Sequence, residues 1–118
     1  MQRGASVMEL AKGDICLVNF NPSKGGEIGK LRPAIIMSSK EEMSMLSTVI
    51  VIPLSTVIEK NALPYRYLIV KREKLEKNSD ACIYEIRALS KVRIKEKLCS
   101  LENDELLIIK KALCEILG

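Results

Sequence analysis

The chain has 118 residues, of which 47% are hydrophobic and 29% are charged, and its formal net charge is +4. This length predicts one compact domain, and no apolar run is long enough to cross a bilayer, so we expect no association with a membrane. The sequence contains no histidine, which excludes Ser-His-Asp, Cys-His and paired-histidine mechanisms. Any catalysis must use carboxylate, arginine, lysine, hydroxyl or thiol groups.

The chain begins with a segment, residues 1–11, that we predict to be a weakly structured lead-in to a single domain spanning residues 12–118. No continuous apolar segment typical of a signal peptide follows Arg3. The first predicted strand covers Asp14–Phe20, which is rich in Ile, Val and Leu and stops at Asn21-Pro22.

A long basic loop follows this strand and carries most of the functional signal. It contains three glycines, the lysines Lys24 and Lys30, and one carboxylate, Glu27. The loop closes at Arg32-Pro33, after which a short aliphatic strand, Ala34–Ser38, is predicted. A flexible basic loop that ends in an arginine held against rigid backbone suits an anionic ligand.

The middle of the chain predicts further short strands. Thr48–Leu54 is a continuous β-branched run, which is typical of a strand covered on both sides. The segment Ser39–Ser47 is a polar spacer with scattered apolar residues, and the segment Val57–Pro64 is expected to be a loop. Three more strands are predicted at Tyr65–Val70, Ala81–Ile86 and Ala88–Ile94.

The last element has the pattern of an amphipathic helix. Asn103 can cap it, and Asp104 and Glu105 suit the positive end of the helix dipole. Ile108 falls outside the apolar face, which hints at a second contact surface, and Gly118 follows the predicted end. Apolar residues at helical spacing form the core-facing side: Leu106, Ile109, Leu113, Ile116 and Leu117. The chain therefore predicts a strongly curved antiparallel sheet or open barrel with one C-terminal helix packed on it.

The cysteines predict no metal site and no cofactor. They form no C-x-x-C pair, and there is no histidine to complete a zinc site. We interpret them as buried free thiols of a protein in the reducing cytoplasm. The four positions are Cys16, Cys82, Cys99 and Cys114.

Several motifs in a fixed order resemble the MazF/PemK toxins of bacterial toxin–antitoxin systems. They are K-G-D-I at Lys12–Ile15, N-P at Asn21-Pro22, G-x-E-x-G-x-x-R-P from Gly25 to Pro33, I-P-L-S-T at Ile52–Thr56 and E-I-R-A-L at Glu85–Leu89. The resemblance implies a small SH3-like barrel of the kind that MazF, PemK and CcdB share, and a homodimer. It further implies a metal-independent endoribonuclease that cuts single-stranded RNA, including mRNA, at short motifs and leaves 2′,3′-cyclic phosphate and 5′-hydroxyl ends. A cognate antitoxin is expected to block the RNA groove.

The resemblance assigns three catalytic residues: Arg32, Ser55 and Glu27. The planar fork of Arg32 can donate two hydrogen bonds to phosphate oxygens and stabilise charge on a phosphorane. The Ser55 hydroxyl can bond the phosphate or position the 2′-hydroxyl, but it is too weak a base to act alone. Glu27 is the only carboxylate of the loop, so it is the natural general base.

A second group of residues is expected to bind RNA. Lys24 and Lys30 suit backbone phosphates, so binding should depend on salt. Thr56 and Arg87 are included because of their places in the motifs, and Tyr65 because aromatic residues, only 3% of the chain, are scarce. Tyr67 and Phe20 are further candidates for stacking against bases.

Structural alternatives remain for the same residues. Arg32 can pair with Glu27 as an ordinary ion pair, and Ser55-Thr56 can be a plain turn at a strand end. Glu85 and Arg87 can form a cross-strand pair or a dimer contact. At the level of function, the alternatives are a CcdB-like toxin that binds DNA gyrase without catalysis and an inactive relative that only binds its partner.

Overall fold

A computed structural model describes residues 9–20 and 30–118. The strands of the described residues are β1 (Asp14–Asn19), β2 (Leu31–Ile36), β3 (Thr48–Ser55), β4 (Arg66–Ile69), β5 (Ser79–Cys82), β6 (Arg87–Ser90) and β7 (Ile94–Ser100). The helices are α1 (Lys40–Met45) and α2 (Asn103–Leu117). Short 3₁₀ turns occupy Ile83–Glu85 and Lys91–Arg93.

The strands form one antiparallel sheet in the order β4-β5-β3-β2-β1-β7, and β6 pairs with β3 beyond the end of β5. Within the described ranges β4 and β7 are the two ends of this path and do not pair with each other. The curved sheet is therefore an open barrel. The predicted fold class, a mainly β domain with a C-terminal helix, is confirmed. No helix of residues 9–20 and 30–118 is long and apolar enough to span a membrane.

The sheet buries apolar side chains on both of its faces. β3 explains why, because Val51–Leu54 is fully buried and its successive side chains point to opposite faces. The face under α2 holds one core cluster, which includes Ile15, Ile35, Ile52, Leu54 and Ile109. The opposite face holds a second cluster, which includes Leu10, Val18, Ala34, Ile36, Met43 and Val51. The prediction that this strand is covered on both sides is confirmed.

The polar spacer Ser39–Ser47, for which no element was predicted, contains α1. Its start is fixed by a capping box, in which Ser39 Oγ accepts from the Glu42 N–H at 3.1 Å and Glu42 Oε1 accepts from the Ser39 N–H at 2.8 Å. Met43, 1% exposed, anchors the helix in the second cluster. The S-x-x-E spacing was the missed signal, since it is the usual mark of a helix start.

The predicted strands near residues 81–94 differ in extent from the observed ones. β5 begins two residues earlier than predicted and ends at Cys82, where a 3₁₀ turn interrupts the chain before β6. β7 was not predicted beyond its first residue, because Lys95–Lys97 is charged and exposed. It is an edge strand, and edge strands tolerate such charges since one side faces water.

The C-terminal helix begins one residue away from its predicted cap. Glu102 is the N-cap and Asn103 is the first helical residue, while Gly118 follows the end with φ of +90° as expected. Ile109 and Ala112 are buried against the sheet, but Leu117 is 78% exposed, so its assignment to the core face was wrong. Leu117 is the last helical residue, and its side chain stays exposed to solvent.

The start of α2 is joined to the chain after β4 by a bidentate ion pair. Arg72 Nη1 and Nη2 donate to Glu105 Oε1 and Oε2 at 2.6 and 2.8 Å. Glu105 Oε1 also accepts from the backbone N–H of Glu102 at 2.9 Å. The bond from Arg72 is the main cause of a lowered pKa for the Glu105 carboxyl.

We expect Glu105→Gln to lower the free energy of unfolding by about 1–3 kcal/mol at neutral pH, because both groups are mostly buried and charge-assisted bonds are lost. Since the folded-state pKa of Glu105 is depressed, its contribution is complete above the pKa of the unfolded chain. The contribution is lost as the pH falls through the folded value. Urea unfolding of both proteins from pH 7 to pH 3 should therefore give curves that converge in acid.

The control is Glu96→Gln, which removes the carboxylate of the exposed Lys74–Glu96 pair at 3.4 Å. That change should cost less than about 0.5 kcal/mol at any pH. An equal loss in both variants would contradict the assignment of a stabilising role to the Arg72–Glu105 pair.

Candidate active site

Arg32 and Ser55 lie on two paired strands, β2 and β3. β2 and β3 pair with Ala34 opposite Pro53, and the same register continued to the strand ends places Arg32 opposite Ser55. Arg32 Nη2 donates to the backbone carbonyl of Leu54 at 3.0 Å. The guanidinium is therefore held beside the residue that precedes Ser55, and both side chains are half-buried at one end of the sheet.

Phe20 lies close to two guanidinium groups. The Cζ of Arg32 is 5.8 Å and the Cζ of Arg87 is 4.7 Å from the centre of the Phe20 ring. Cations within about 6 Å of an aromatic ring are attracted to its face. Phe20 is 9% exposed and belongs to the second cluster, so a rigid apolar ring holds two cations at the same end of the sheet.

A third arginine, Arg93, binds the backbone at the end of β1. Its Nη1 donates to the carbonyl oxygens of Asn19 and Phe20 at 3.3 and 3.2 Å. The N–H of Phe20 donates to the Lys30 carbonyl at 2.9 Å, which joins the end of β1 to the start of β2. Arg32, Arg87, Arg93 and the exposed Lys30 give this end of the sheet a concentration of positive charge suited to a polyanion.

The hydroxyl of Ser55 accepts a hydrogen bond from the backbone N–H of Val57 at 3.1 Å. This is the contact of a Ser turn at a strand end. A hydroxyl has two acceptor positions and one proton, so Ser55 can still donate to a substrate oxygen. The turn and a role in binding phosphate are compatible.

Arg32 uses one of its five N–H donors within the described ranges, in the bond to Leu54. Its other donors can reach a phosphate without loss of this anchor. The alternative partner proposed for Arg32, Glu27, lies outside the described residues.

The thiols near the site are poorly suited to nucleophilic chemistry. Burial raises the pKa of the Cys82 thiol, although the charges of Arg66 and Arg32 act in the opposite direction. Burial also raises the pKa of Cys16, to about 12. Both thiols stay protonated at neutral pH, and a thiol attacks as the thiolate. Cys114 is exposed, against the expectation of a buried thiol, because it lies on the outer face of α2.

Three other predicted residues, Lys30, Thr56 and Tyr65, are exposed at different places on the surface. Lys30 is exposed at the base of the loop, next to β2. Thr56 is exposed and lines a separate cavity with Leu17 and Pro33, so it is directed away from the face that carries Arg32. Tyr65 precedes β4 at the end of the sheet, where its ring packs edge-to-face against Tyr84 with centroids 5.8 Å apart.

Lys24, Glu27 and the Asn21-Pro22 step lie outside the described residues. In the described part of the chain, no group of three or more His, Cys, Asp or Glu side chains is placed to hold a metal ion. Tyr67 packs against the first core cluster, which favours a packing role for this ring over stacking against a base.

Sequence reasoning missed Arg93, because its contact with the end of β1 joins residues more than 70 positions apart. It named Phe20 only as a stacking candidate and not as a ring that contacts both Arg32 and Arg87. A weak signal existed, since Phe20 ends the apolar run of β1 directly before the basic loop.

Comparison with known proteins gives consistent matches over most of the chain. A family model described as PemK-like, MazF-like toxin of type II toxin–antitoxin system matches residues 11–117. The endoribonuclease MazF of Staphylococcus epidermidis is 34% identical over 110 residues, which cover 92% of each protein.

Solved structures show the same fold at lower identity. A MazE–MazF crystal structure from Deinococcus radiodurans superposes with a TM-score of 0.75 at 22% identity and covers 92% of this chain and 96% of its own. The Mycobacterium tuberculosis toxin MazF-mt6 superposes with a TM-score of 0.73 at 14% identity, covering 88% of this chain and 95% of its own. A mycobacterial endoribonuclease in complex with its cognate antitoxin gives 0.67 at 17% identity, covering 92% and 93%.

Proposed function

We propose that this chain, which belongs to the PemK-like, MazF-like toxin family of type II toxin–antitoxin systems, is an endoribonuclease. Its proposed substrate is single-stranded RNA. The observation that carries the proposal is the arginine held beside a hydroxyl: Arg32 donates to the carbonyl of Leu54, directly before Ser55. Two further arginines, Arg87 and Arg93, and the exposed Lys30 lie at the same end of the sheet. A phosphodiester is the substrate group that matches such a site.

The proposed reaction is attack of a ribose 2′-oxygen on the adjacent phosphate. The 2′-hydroxyl gives its proton to a base, the bond from the 2′-oxygen to phosphorus forms, and the bond from phosphorus to the 5′-oxygen breaks. The leaving 5′-oxygen takes up a proton, so the products carry a 2′,3′-cyclic phosphate and a 5′-hydroxyl. Glu27 is the proposed base, on the strength of its place in the family motif.

Arg32 has the role of stabilising the charge that grows on the non-bridging phosphate oxygens. Guanidinium groups stay protonated in proteins and bind phosphate in a bidentate manner. The Ser55 hydroxyl, with its oxygen bonded by Val57 N–H, is proposed to donate its proton to a phosphate oxygen. Neither role needs a metal ion or a cofactor.

The RNA strand is proposed to follow the positive end of the sheet. Arg87, stacked on the Phe20 ring, and Lys30 would meet phosphates on either side of the cleaved bond, and Lys24 would extend this contact. Thr56 and Tyr65 are exposed and are proposed to contact flanking nucleotides. Salt should weaken binding as these contacts release counterions.

We further propose a homodimer in the cytoplasm, inhibited by a cognate antitoxin protein. Solved relatives include MazE–MazF complexes and an endoribonuclease with its cognate antitoxin. We propose one domain from residue 12 to residue 118, preceded by a lead-in. The CcdB-like alternative of binding DNA gyrase is not favoured, because the matching family model and the relative named above are of the PemK/MazF type.

The test is cleavage of a long single-stranded RNA by the purified protein in excess EDTA. We expect discrete products with 5′-hydroxyl ends, mapped by sequencing. Ser55→Ala should slow cleavage about 10- to 100-fold, because it removes one hydrogen bond to a charged phosphate. Intact RNA in every buffer tested, with folded protein, would remove the proposed activity.

The control for the serine variant is Ser44→Ala. Ser44 is an exposed residue of α1 whose hydroxyl donates to the Glu41 carbonyl within the same helix at 2.8 Å. This variant should cleave RNA at the rate of the unmodified protein.

A further inference from the structure

A buried carboxylate lies directly across the sheet from Ser55. Asp80 in β5 is the register partner of Ser55 in β3, and it is 1% exposed. Burying an unpaired carboxylate is very costly, so such a group must have partners. Its position beside the proposed catalytic hydroxyl makes the identity of those partners important.

The partners of Asp80 all belong to the segment that follows Ser55 or to β4. Asp80 Oδ2 accepts from the backbone N–H of Glu59 at 2.8 Å and from Arg66 Nη1 at 3.2 Å. Arg66 Nη1 also donates to the backbone carbonyl of Val57 at 2.9 Å. One carboxylate and one guanidinium thus hold both Val57 and Glu59.

Val57 connects this network to the catalytic hydroxyl. Its carbonyl is held by Arg66, and its N–H donates to Ser55 Oγ at 3.1 Å. The orientation of Val57 fixes the direction from which Ser55 Oγ is approached by a donor. One acceptor position of the oxygen is then occupied in a fixed direction, and the hydroxyl proton remains available to a substrate oxygen.

Among the described residues, the segment after Ser55 has little apolar support. The side chain of Val57 is 66% exposed and that of Ile58 is 43% exposed, so apolar packing holds these two residues weakly. Hydrogen bonds from the Arg66–Asp80 pair are therefore the main restraint on the backbone at Val57 and Glu59. The contact between Arg66 and Asp80 is mostly shielded, with side-chain exposures of 21% and 2%, so water competes little for it. The bond from Arg66 to the Val57 carbonyl is exposed, and the contact with Asp80 holds the guanidinium in place for it.

We propose that the Arg66–Asp80 pair is a positioning device for the Ser55 hydroxyl, acting through the backbone of Val57. Asp80 and Arg66 are positioning residues, since neither is proposed to touch the substrate. The inference rests on the proposed function, because its kinetic effect is defined by RNA cleavage. It assigns a role to two residues that the sequence motifs left unassigned.

The principal variant is Asp80→Asn, which keeps the volume but removes the charge that orients Arg66. We expect kcat for cleavage of a short RNA to fall about 10-fold with KM nearly unchanged, because an interaction made in the transition state is weakened. In a Ser55→Ala background the same change should lower kcat less than about 2-fold, since the group it positions is absent. A purely structural role would give the same loss in both backgrounds.

A second variant protects the test against a folding failure. Arg66→Lys keeps the positive charge but replaces the rigid, planar guanidinium, whose Nη1 donates to both Asp80 Oδ2 and the Val57 carbonyl, by a flexible ammonium. It should show the same dependence on Ser55. The matched control, Glu96→Gln, makes the same carboxyl-to-amide change in an exposed ion pair and should leave kcat and KM unchanged.

An observable that does not need activity separates this inference from the proposed function. Hydrogen exchange of the Val57 amide, followed by NMR, should be at least about 10-fold faster in Asp80→Asn and Arg66→Lys than in the unmodified protein and in Glu96→Gln. If the unmodified protein does not cut RNA, the proposed function fails, and the Val57 amide alone decides whether the pair orders Ser55. Unchanged exchange, or an equal kcat loss in both backgrounds, overturns the inference.

Discussion

Arg32→Ala is expected to lower kcat for RNA cleavage by about 100- to 1,000-fold while the protein remains folded. Loss of one preorganised donor to a developing oxyanion has this effect in enzymes. The Arg32 side chain makes one hydrogen bond to the chain in the described ranges, to the Leu54 carbonyl at 3.0 Å. Its removal should therefore cost only about 1 kcal/mol of stability.

Two further variants make the Arg32 experiment specific. Arg32→Lys keeps the charge but loses the planar fork, so we expect an activity between those of the unmodified protein and Arg32→Ala. Lys40→Ala removes an exposed cation from the start of α1 and should leave kcat unchanged. Single-turnover cleavage in EDTA, with unfolding curves for each variant, gives the measurement. Full activity of folded Arg32→Ala would refute the assignment of the site.

The largest effect on stability is expected for Ile52→Ala. Ile52 is fully buried in the core cluster under α2. Truncation to alanine removes the free energy of transfer of its side chain and leaves a cavity, at a cost of about 2–5 kcal/mol. Urea unfolding followed by circular dichroism should show this as a lower midpoint with an unchanged slope.

Ile50→Ala is the matched control, because it makes the same chemical change in the same strand on the same side. Ile50 is 41% exposed and opposes Ala88 of β6. We expect a loss well below that of Ile52→Ala, about 1 kcal/mol or less. Equal losses of stability at the two positions would contradict the assignment of Ile52, and not Ile50, to the core cluster.

The site illustrates why neighbouring residues in a motif need not act together. Ser55 and Thr56 are adjacent in sequence, yet Ser55 faces the end of the sheet that carries Arg32, whereas Thr56 lines a cavity with Leu17 and Pro33. Successive residues at a strand end point to opposite sides. The sequence selected Ser55 through the family motif, and the catalytic role of Ser55 stays a prediction.

The strands with strong β-branched runs, the amphipathic helix and the family could all be predicted from the amino-acid sequence. It also singled out Arg32 and Ser55, since these features depend on local periodicity and on short motifs. It did not reveal α1, most of β7 or the grouping of Arg87 and Arg93 around Phe20.

Only the tertiary structure placed Asp80 opposite Ser55 and brought Arg66 to both Asp80 and the Val57 carbonyl. These contacts follow from strand register, which pairs residues far apart along the chain according to how whole apolar faces pack. The side chains involved are polar and show no periodic pattern. Nothing in their local sequence therefore indicated that a buried ion pair would support the proposed catalytic hydroxyl.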